Sequence, residues 1–418
     1  MRLDWRLGQL PNGLRVGTIR RPKGPTVAVR IYLRAGSRYD DGLPGLAHLV
    51  EHLIFQGSET RSRETIYREI EGRGGLIDAG TSKEYSTFQV NLLQPDLEVG
   101  LEVLADAFTQ PRFDHSALES ERRIVLQEMG RTQDSEGTLL DRFAQTLWQR
   151  HPLRWPVLGD EASLARIRRK DLVSFHRKHY VARNMVLALC GAINHDQALE
   201  AVGRHFGHLD SGNEVQPDPA EEPPIREPRD ATIRRETYQA YLIMGVRGVT
   251  MEDPRRFALR LMERVLGFGG DSRLHRRLRD RDGLAYAPQV LAPVFEDAGY
   301  FAVRVNHRPE NGRVVRKAIL EEWERLRDDL VSRGELERAQ RAYEGSLARG
   351  LETNHRAAGL LGAEALLHRF EPPDERLEKA RGESPESLRE LARDLFLPEA
   401  RVAVTLGPGT SREASPRG

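Results

Sequence analysis

The stretch His48-Leu49-Val50-Glu51-His52 is the part of this sequence best equipped to do chemistry. In an α-helix each residue advances by about 100°, so His48 and His52 lie one turn apart on one face. Two imidazoles so placed can grip one Zn²⁺ at about 2.0–2.1 Å, and Glu51 projects from the same side. A carboxylate beside a water held at such a metal can take that water's proton. The order H-x-x-E-H inverts the commoner H-E-x-x-H. The competing explanation is a surface helix that merely carries two histidines. The neighbours oppose it: Leu46, Ala47, Leu49, Val50, Leu53 and Ile54 make the helix apolar nearly all round. A buried helix does not leave two imidazoles and a carboxylate unpaired.

A catalytic zinc needs a third protein ligand. His115 is near in sequence but sits in the loop-like Pro111-Arg112-Phe113-Asp114-His115. The helical stretch Glu119 to Met129 offers Glu121 and Glu128, two turns apart and on a common face. Acidic and basic residues crowd that helix, so a solvated charged face competes with a ligand role, and spacing alone leaves the third ligand open.

Composition bounds the rest. The 418 residues carry 64 Lys and Arg against 63 Asp and Glu, a formal net charge of +1, which gives no reason to invoke nucleic acid or an anionic membrane as a partner. With 39% hydrophobic and 30% charged residues the chain reads as globular. The single cysteine, Cys190, excludes an intrachain disulfide and a cysteine-based zinc site. The N-terminus lacks the apolar core of a signal peptide, and the best apolar run, Met185 to Ile193, is too short to cross a bilayer. The expectation is a cytoplasmic bacterial protein, with its arginine bias attributed to a GC-rich genome.

The elements that must position the motif fall into two similar halves. The first reads as a strand at Val27 to Leu33, helices at Leu46 to Phe55 and Ile66 to Ile70, a hairpin ending in Tyr85 to Leu92, and a helix at Leu97 to Phe108. The second reads as a strand at Ala240 to Val246, helices at Arg255 to Leu266 and Arg273 to Leu278, strands at Tyr286 to Leu291 and Tyr300 to Val305, and a helix at Val314 to Leu326. Glycines precede the hairpin in both, Gly74-Gly75 and Gly283. Between the halves, Pro217, Pro219, Pro223, Pro224 and Pro228 mark a semi-rigid linker. The expected organisation is a duplicated α+β unit, each a mainly antiparallel sheet covered by helices. Its parts are a zinc-binding domain at 1–210, the linker at 211–230, a homologous second domain at 231–407 and a flexible tail at 408–418.

Gly45 through Gly57, which contains the H-x-x-E-H, closely resembles the signature of the pitrilysin and mitochondrial-processing-peptidase family of zinc metallopeptidases, the inverzincins. Leu10 to Val16 resembles the family's opening strand, Glu121 to Glu128 its distal ligand helix, and Leu158 through Val186 the end of its first domain. The resemblance implies one Zn²⁺ per chain held by His48, His52 and Glu128, with Glu121 supporting the ligands and Glu51 as general base. It further implies that an edge strand containing Asp78, Ala79 and Gly80 binds substrate through its main chain. Relatives carry Asn where this chain has Asp78, a carboxylate that accepts but cannot donate and adds a negative charge favouring basic peptides.

In the second half, Arg279 and Tyr286 taken alone read as a surface charge and a half-buried strand residue. The resemblance implies instead that they hydrogen-bond the scissile carbonyl and its developing oxyanion. The helix matching the zinc helix has Arg260 and Arg264 where the histidines would stand, so this half cannot bind zinc in the same way. The glycine-rich Leu266 to Asp271 also resembles a family segment; it lacks the Lys-Ser/Thr of a phosphate-binding loop. Longer members fold into a clamshell. By resemblance to the short bacterial type this chain forms half of one, completed in a homodimer or in a heterodimer with a divergent homologue. The implied function is a zinc endopeptidase acting on peptides or unfolded segments. The alternatives are a non-catalytic scaffold or assembly subunit and a maturation peptidase dedicated to one precursor.

Overall fold

The computed structural model describes residues 3–133, 136–218, 220–367 and 370–408. The chain divides into two compact units, Met1–Arg131 with Trp155–Ala220 and Leu347–Asp374, and Thr132–Arg154 with Glu221–Ser346 and Glu375–Gly418.

The first unit is built on a six-stranded sheet of β1 (Asp4–Gln9), β2 (Arg15–Arg20), β3 (Thr26–Leu33), β4 (Leu76–Thr81), β5 (Ser86–Leu93) and β6 (Met185–Gly191), ordered β1-β2-β6-β3-β5-β4. Only β2 and β6 pair in parallel. Alternation along β3 sorts the two faces of this sheet. Val27, Val29, Ile31 and Leu33 enter a core shared with α1 (Leu46–Ile54), α2 (Arg63–Glu71) and α3 (Leu97–Thr109). Ala28 and Tyr32 face the other way, into clusters formed with the helix Asn354–Leu366. Leu361 and Leu366 of that helix are fully buried, each contributing about 1.5–3 kcal/mol.

The second unit holds β7 (Arg229–Arg234), β8 (Ala240–Arg247), β9 (Gln289–Leu291), β10 (Tyr300–His307) and β11 (Val402–Gly407), ordered β7-β11-β8-β10-β9. Here too one pair alone is parallel, β7 with β11. The order and sense repeat β2-β6-β3-β5-β4 of the first sheet, so the chain is a duplicated α+β unit. Gly74 and Gly283 both adopt left-handed backbone, at φ +72° and +59°, a conformation that favours glycine in either turn.

The linear division at the linker is crossed in both directions. In the first half, α4 (His115–Gln133) is followed by α5 (Glu136–Leu147), whose Leu139, Phe143 and Leu147 pack on Ile243, Val402 and Val404 of the second sheet. The helix Asn354–Leu366, from the second half, covers the first sheet instead. An apolar stripe announces that a helix is buried but not against which sheet. The linker is also less free than its prolines suggested. Ile225 is buried in the second unit's core, and Glu222 accepts from the backbone N–H groups of Gln149, Arg150 and His151 at 2.7, 2.7 and 2.8 Å. Its last two residues, Arg229 and Asp230, already belong to β7.

Smaller differences follow from local chemistry. Leu10 to Leu14 is the turn between β1 and β2, held by Asn12 Nδ2 donating to the Phe206 and Leu209 carbonyls, and the strand starts at Arg15. His115 opens α4 rather than lying in a loop, and it is exposed. Of the tail expected at 408–418, residues 409–418 lie outside the described residues, and Gly407 closes β11. Among the described residues no helix is long and apolar enough to cross a membrane.

Candidate metal centre

Helix α1 is buried along nearly its whole surface, which fixes its rotation and hence the direction of its three polar side chains. Its N-terminus is held by Asp40, whose carboxylate accepts from the Gly45 and Ala47 N–H groups at 2.7 and 2.8 Å. These are donors a helix end leaves without intrahelical partners. Burial raises the Asp40 carboxyl well above the usual range, and the two backbone donors oppose that rise.

His48 and His52 lie one turn apart with their rings edge to face, the centroids 4.5 Å from each other. Helix α4 brings Glu128 across from them: its Oε2 lies 3.8 Å from His48 Nε2 and 3.7 Å from His52 Nε2. The ligand atoms of these three residues all lie within 4.8 Å of one another. Zinc bonds of about 2.0–2.2 Å in a tetrahedron set ligand atoms roughly 3.3–3.6 Å apart, so a small contraction suits the group to that ion. Two imidazoles and one carboxylate, with no thiolate, form the donor set of a catalytic zinc rather than a structural one.

Protonation is arranged to match. His52 Nδ1 donates to Glu121 Oε2 at 2.9 Å, which places the proton on Nδ1 and leaves the Nε2 lone pair facing Glu128. Gln56 Nε2 donates to the other Glu121 oxygen at 2.8 Å, so both oxygens of this buried carboxylate are engaged. Burial lowers the basicity of His52, but the hydrogen bond it donates to Glu121 and the charges of Glu51, Glu128 and Glu121 outweigh it and raise its pKa. His48 has no such brace. Burial, with His52 beside it, lowers its pKa to about 3 and keeps it neutral, and its buried Nδ1 has no hydrogen-bond partner among the described residues. Its 4.0 Å approach to Glu51 is therefore not an ion pair.

Glu51 is only 8% exposed, and burial pushes its carboxyl up to about 7, against the lowering effects of His52 and of a hydrogen bond from Thr81. That bond runs from Thr81 Oγ1 to Glu51 Oε2 at 3.2 Å. Thr81 ends β4, the edge strand, where Asp78, Ala79 and Gly80 also lie. Asp78 is exposed, and its Oδ2 accepts from Gln89 Nε2 at 2.5 Å.

In the second unit Arg279 and Tyr286 are brought together, the guanidinium carbon 4.7 Å from the ring centroid. Arg279 also donates to His275 Nε2 at 3.0 Å. Tyr286 is not a strand residue: it lies in a bend before β9 and is 76% exposed. In the helix Arg256–Gly267, Arg260 and Arg264 each approach Glu263 Oε2, at 3.4 and 3.3 Å. The arginines standing at the histidine positions thus neutralise the retained glutamate. Sequence reasoning assigned no role to Asp40, Gln56, Thr81 or His275. Gln56 stood inside a stretch that carried the resemblance, so for it position was the available signal.

Comparison with known proteins places the chain in a family. Residues 15–161 match the sequence profile "Insulinase (Peptidase family M16)" and residues 166–343 match "Peptidase M16 inactive domain". The chain belongs to the M16 peptidases, the pitrilysin family, in its short bacterial form. Among its relatives is an "uncharacterized zinc protease" of Mycobacterium leprae, 31% identical over 98% of this chain and 93% of the relative. Another is the uncharacterized zinc protease YmxG of Bacillus subtilis, 28% identical over 94% and 96% of the respective chains. The fold is that of a protease from Helicobacter pylori, with TM-score 0.92, 22% identity and coverage of 97% of this chain and 100% of that one. It is also that of a peptidase M16 inactive domain from Pseudomonas fluorescens, with TM-score 0.90, 22% identity and coverage of 98% and 99%.

Proposed function

We propose that the chain is a zinc-dependent endopeptidase acting on peptides or unfolded segments, with one Zn²⁺ held by His48, His52 and Glu128. The observation that carries this reading is the convergence of these three side chains beside a buried carboxylate, Glu51, with Glu121 fixing the His52 tautomer. Zn²⁺ at this site supplies Lewis acidity, making a water more acidic and polarising a carbonyl oxygen. Glu51 takes a proton from the attacking water and delivers it to the departing amine nitrogen, the two halves of general acid–base catalysis. The unpaired edge of β4 takes an extended peptide through main-chain hydrogen bonds, beside the Thr81–Glu51 contact. Arg279 and Tyr286, stacked and exposed, donate to the oxyanion from the partner subunit of a homodimer.

The retained Glu51, His48, His52 and Glu128 favour an enzyme over a scaffold subunit. The test is zinc content and cleavage of a mixed peptide library, wild type beside Glu51→Gln. The variant should keep its zinc and lose at least ~10²-fold in turnover. Equal cleavage by the two proteins would remove Glu51 from the role of base.

A further inference from the structure

The contact between Thr81 and Glu51 is the end of a longer chain of hydroxyls. Thr81 Oγ1 lies 3.2 Å from Glu51 Oε2 and also 3.2 Å from Ser86 Oγ, its cross-strand neighbour on β5. Ser86, fully buried, is 2.8 Å from the Ala35 carbonyl oxygen. A carbonyl can only accept, so the Ser86 hydrogen goes to Ala35, and Ser86 meets Thr81 with a lone pair. Thr81 then has one hydrogen and two acceptors within reach. When Glu51 is a carboxylate, the Thr81 hydroxyl donates to it. When Glu51 carries a proton, it donates that proton to the Thr81 oxygen, and Thr81 turns its own hydrogen to Ser86.

We propose that Thr81 is a positioning residue for the base, holding the Glu51 carboxyl in one place in both of its protonation states, with Ser86 as the fixed acceptor that lets the hydroxyl reverse. The inference rests on the reading of Glu51 as general base, and deepens it. A base that collects a proton from water and must give it up again passes through both states in each turnover. Buried as Glu51 is, a state left without its hydrogen bond would be disfavoured or displaced. A rotating hydroxyl serves both states, whereas an amide or ammonium donor would serve only the ionised one. Thr81 also sits on the edge strand proposed to receive substrate, so the strand that aligns the peptide holds the base as well.

The test compares Thr81→Val, which keeps shape and removes the hydroxyl, with Thr81→Ser, which restores it. Thr81→Val should lower kcat roughly 10-fold or more with little change in KM, and Thr81→Ser should recover most of it. Zinc content should equal wild type in both, as a merely structural lesion in the site would not allow. A second readout needs no activity: thermal unfolding of the chelator-treated chain in a double-mutant cycle of Thr81→Val with Glu51→Leu should show a coupling that Thr81→Ser abolishes. Wild-type kcat in Thr81→Val, while Glu51→Gln is inactive, would overturn the proposal and leave the base standing. Full turnover in Glu51→Gln would instead remove the base and this inference with it.

Discussion

His52 Nδ1 and Glu121 Oε2 stand 2.9 Å apart, and this hydrogen bond decides which nitrogen of the imidazole is free to ligate. Glu121 also carries the charge that makes that nitrogen more basic. Glu121→Gln preserves shape and one acceptor oxygen but loses the charge, so zinc affinity should fall about 10–100-fold while the fold persists. Competition with a chelator of known affinity measures it; unchanged affinity would show that the brace does not tune the ligand.

His52→Ala leaves His48 and Glu128, two donors where a catalytic zinc requires three. The purified variant should contain far less than one zinc per chain by elemental analysis. Stoichiometric zinc in this variant would mean that the metal lies elsewhere.

The composite site is tested by mixing. A chain with Glu51→Gln and a chain with Tyr286→Phe should each be nearly inactive alone. If the residues act across a homodimer, subunit exchange creates mixed dimers with one intact site. Random pairing then restores about a quarter of wild-type activity, assuming independent sites. No recovery after exchange verified by mass would mean that both residues of a site come from one chain, which overturns the arrangement across the dimer and leaves the zinc assignment untouched.

A pH effect arises away from the metal. Glu335 accepts two hydrogen bonds from Arg273, at 2.7 and 3.0 Å, and these, opposed by burial and aided by Ser332, hold its pKa near 2 rather than 4.5. A pKa depressed on folding stabilises above the unfolded value and loses that contribution as pH falls through the folded one. Glu335→Gln should therefore cost ~1 kcal/mol at pH 7, after allowance for solvent screening, and progressively less below about pH 4.5. Urea unfolding at several pH values reads the difference; a constant offset would assign the loss to packing.

The site was legible where local geometry sufficed. His48, Glu51 and His52 share a helix, and helical periodicity alone places them together. Glu128 comes from another helix, and its approach to the histidines is set by how α4 packs on α1, which spacing does not encode; resemblance supplied it. Thr81 and Asp40 were silent because a single hydroxyl or carboxylate acquires meaning only from what the fold sets 3.2 or 2.7 Å away. Tyr286 looked like strand because aromatics favour sheets, yet the chain turns there and reaches β9 only at Gln289. The repeated strand order was visible in the succession of elements, but the destinations of α5 and of Asn354–Leu366 were not.

Those two helices make the halves of the polypeptide mutually indispensable. A fragment ending at residue 210 would retain every residue of the metal group yet leave bare the side of its sheet formed by Ala28, Tyr32, Val186 and Ala188. During synthesis the same surface stays uncovered until the ribosome has released the chain through Leu366. Severing the chain in its proline-rich segment would thus yield sticky, aggregation-prone pieces rather than a working protease domain and a spare.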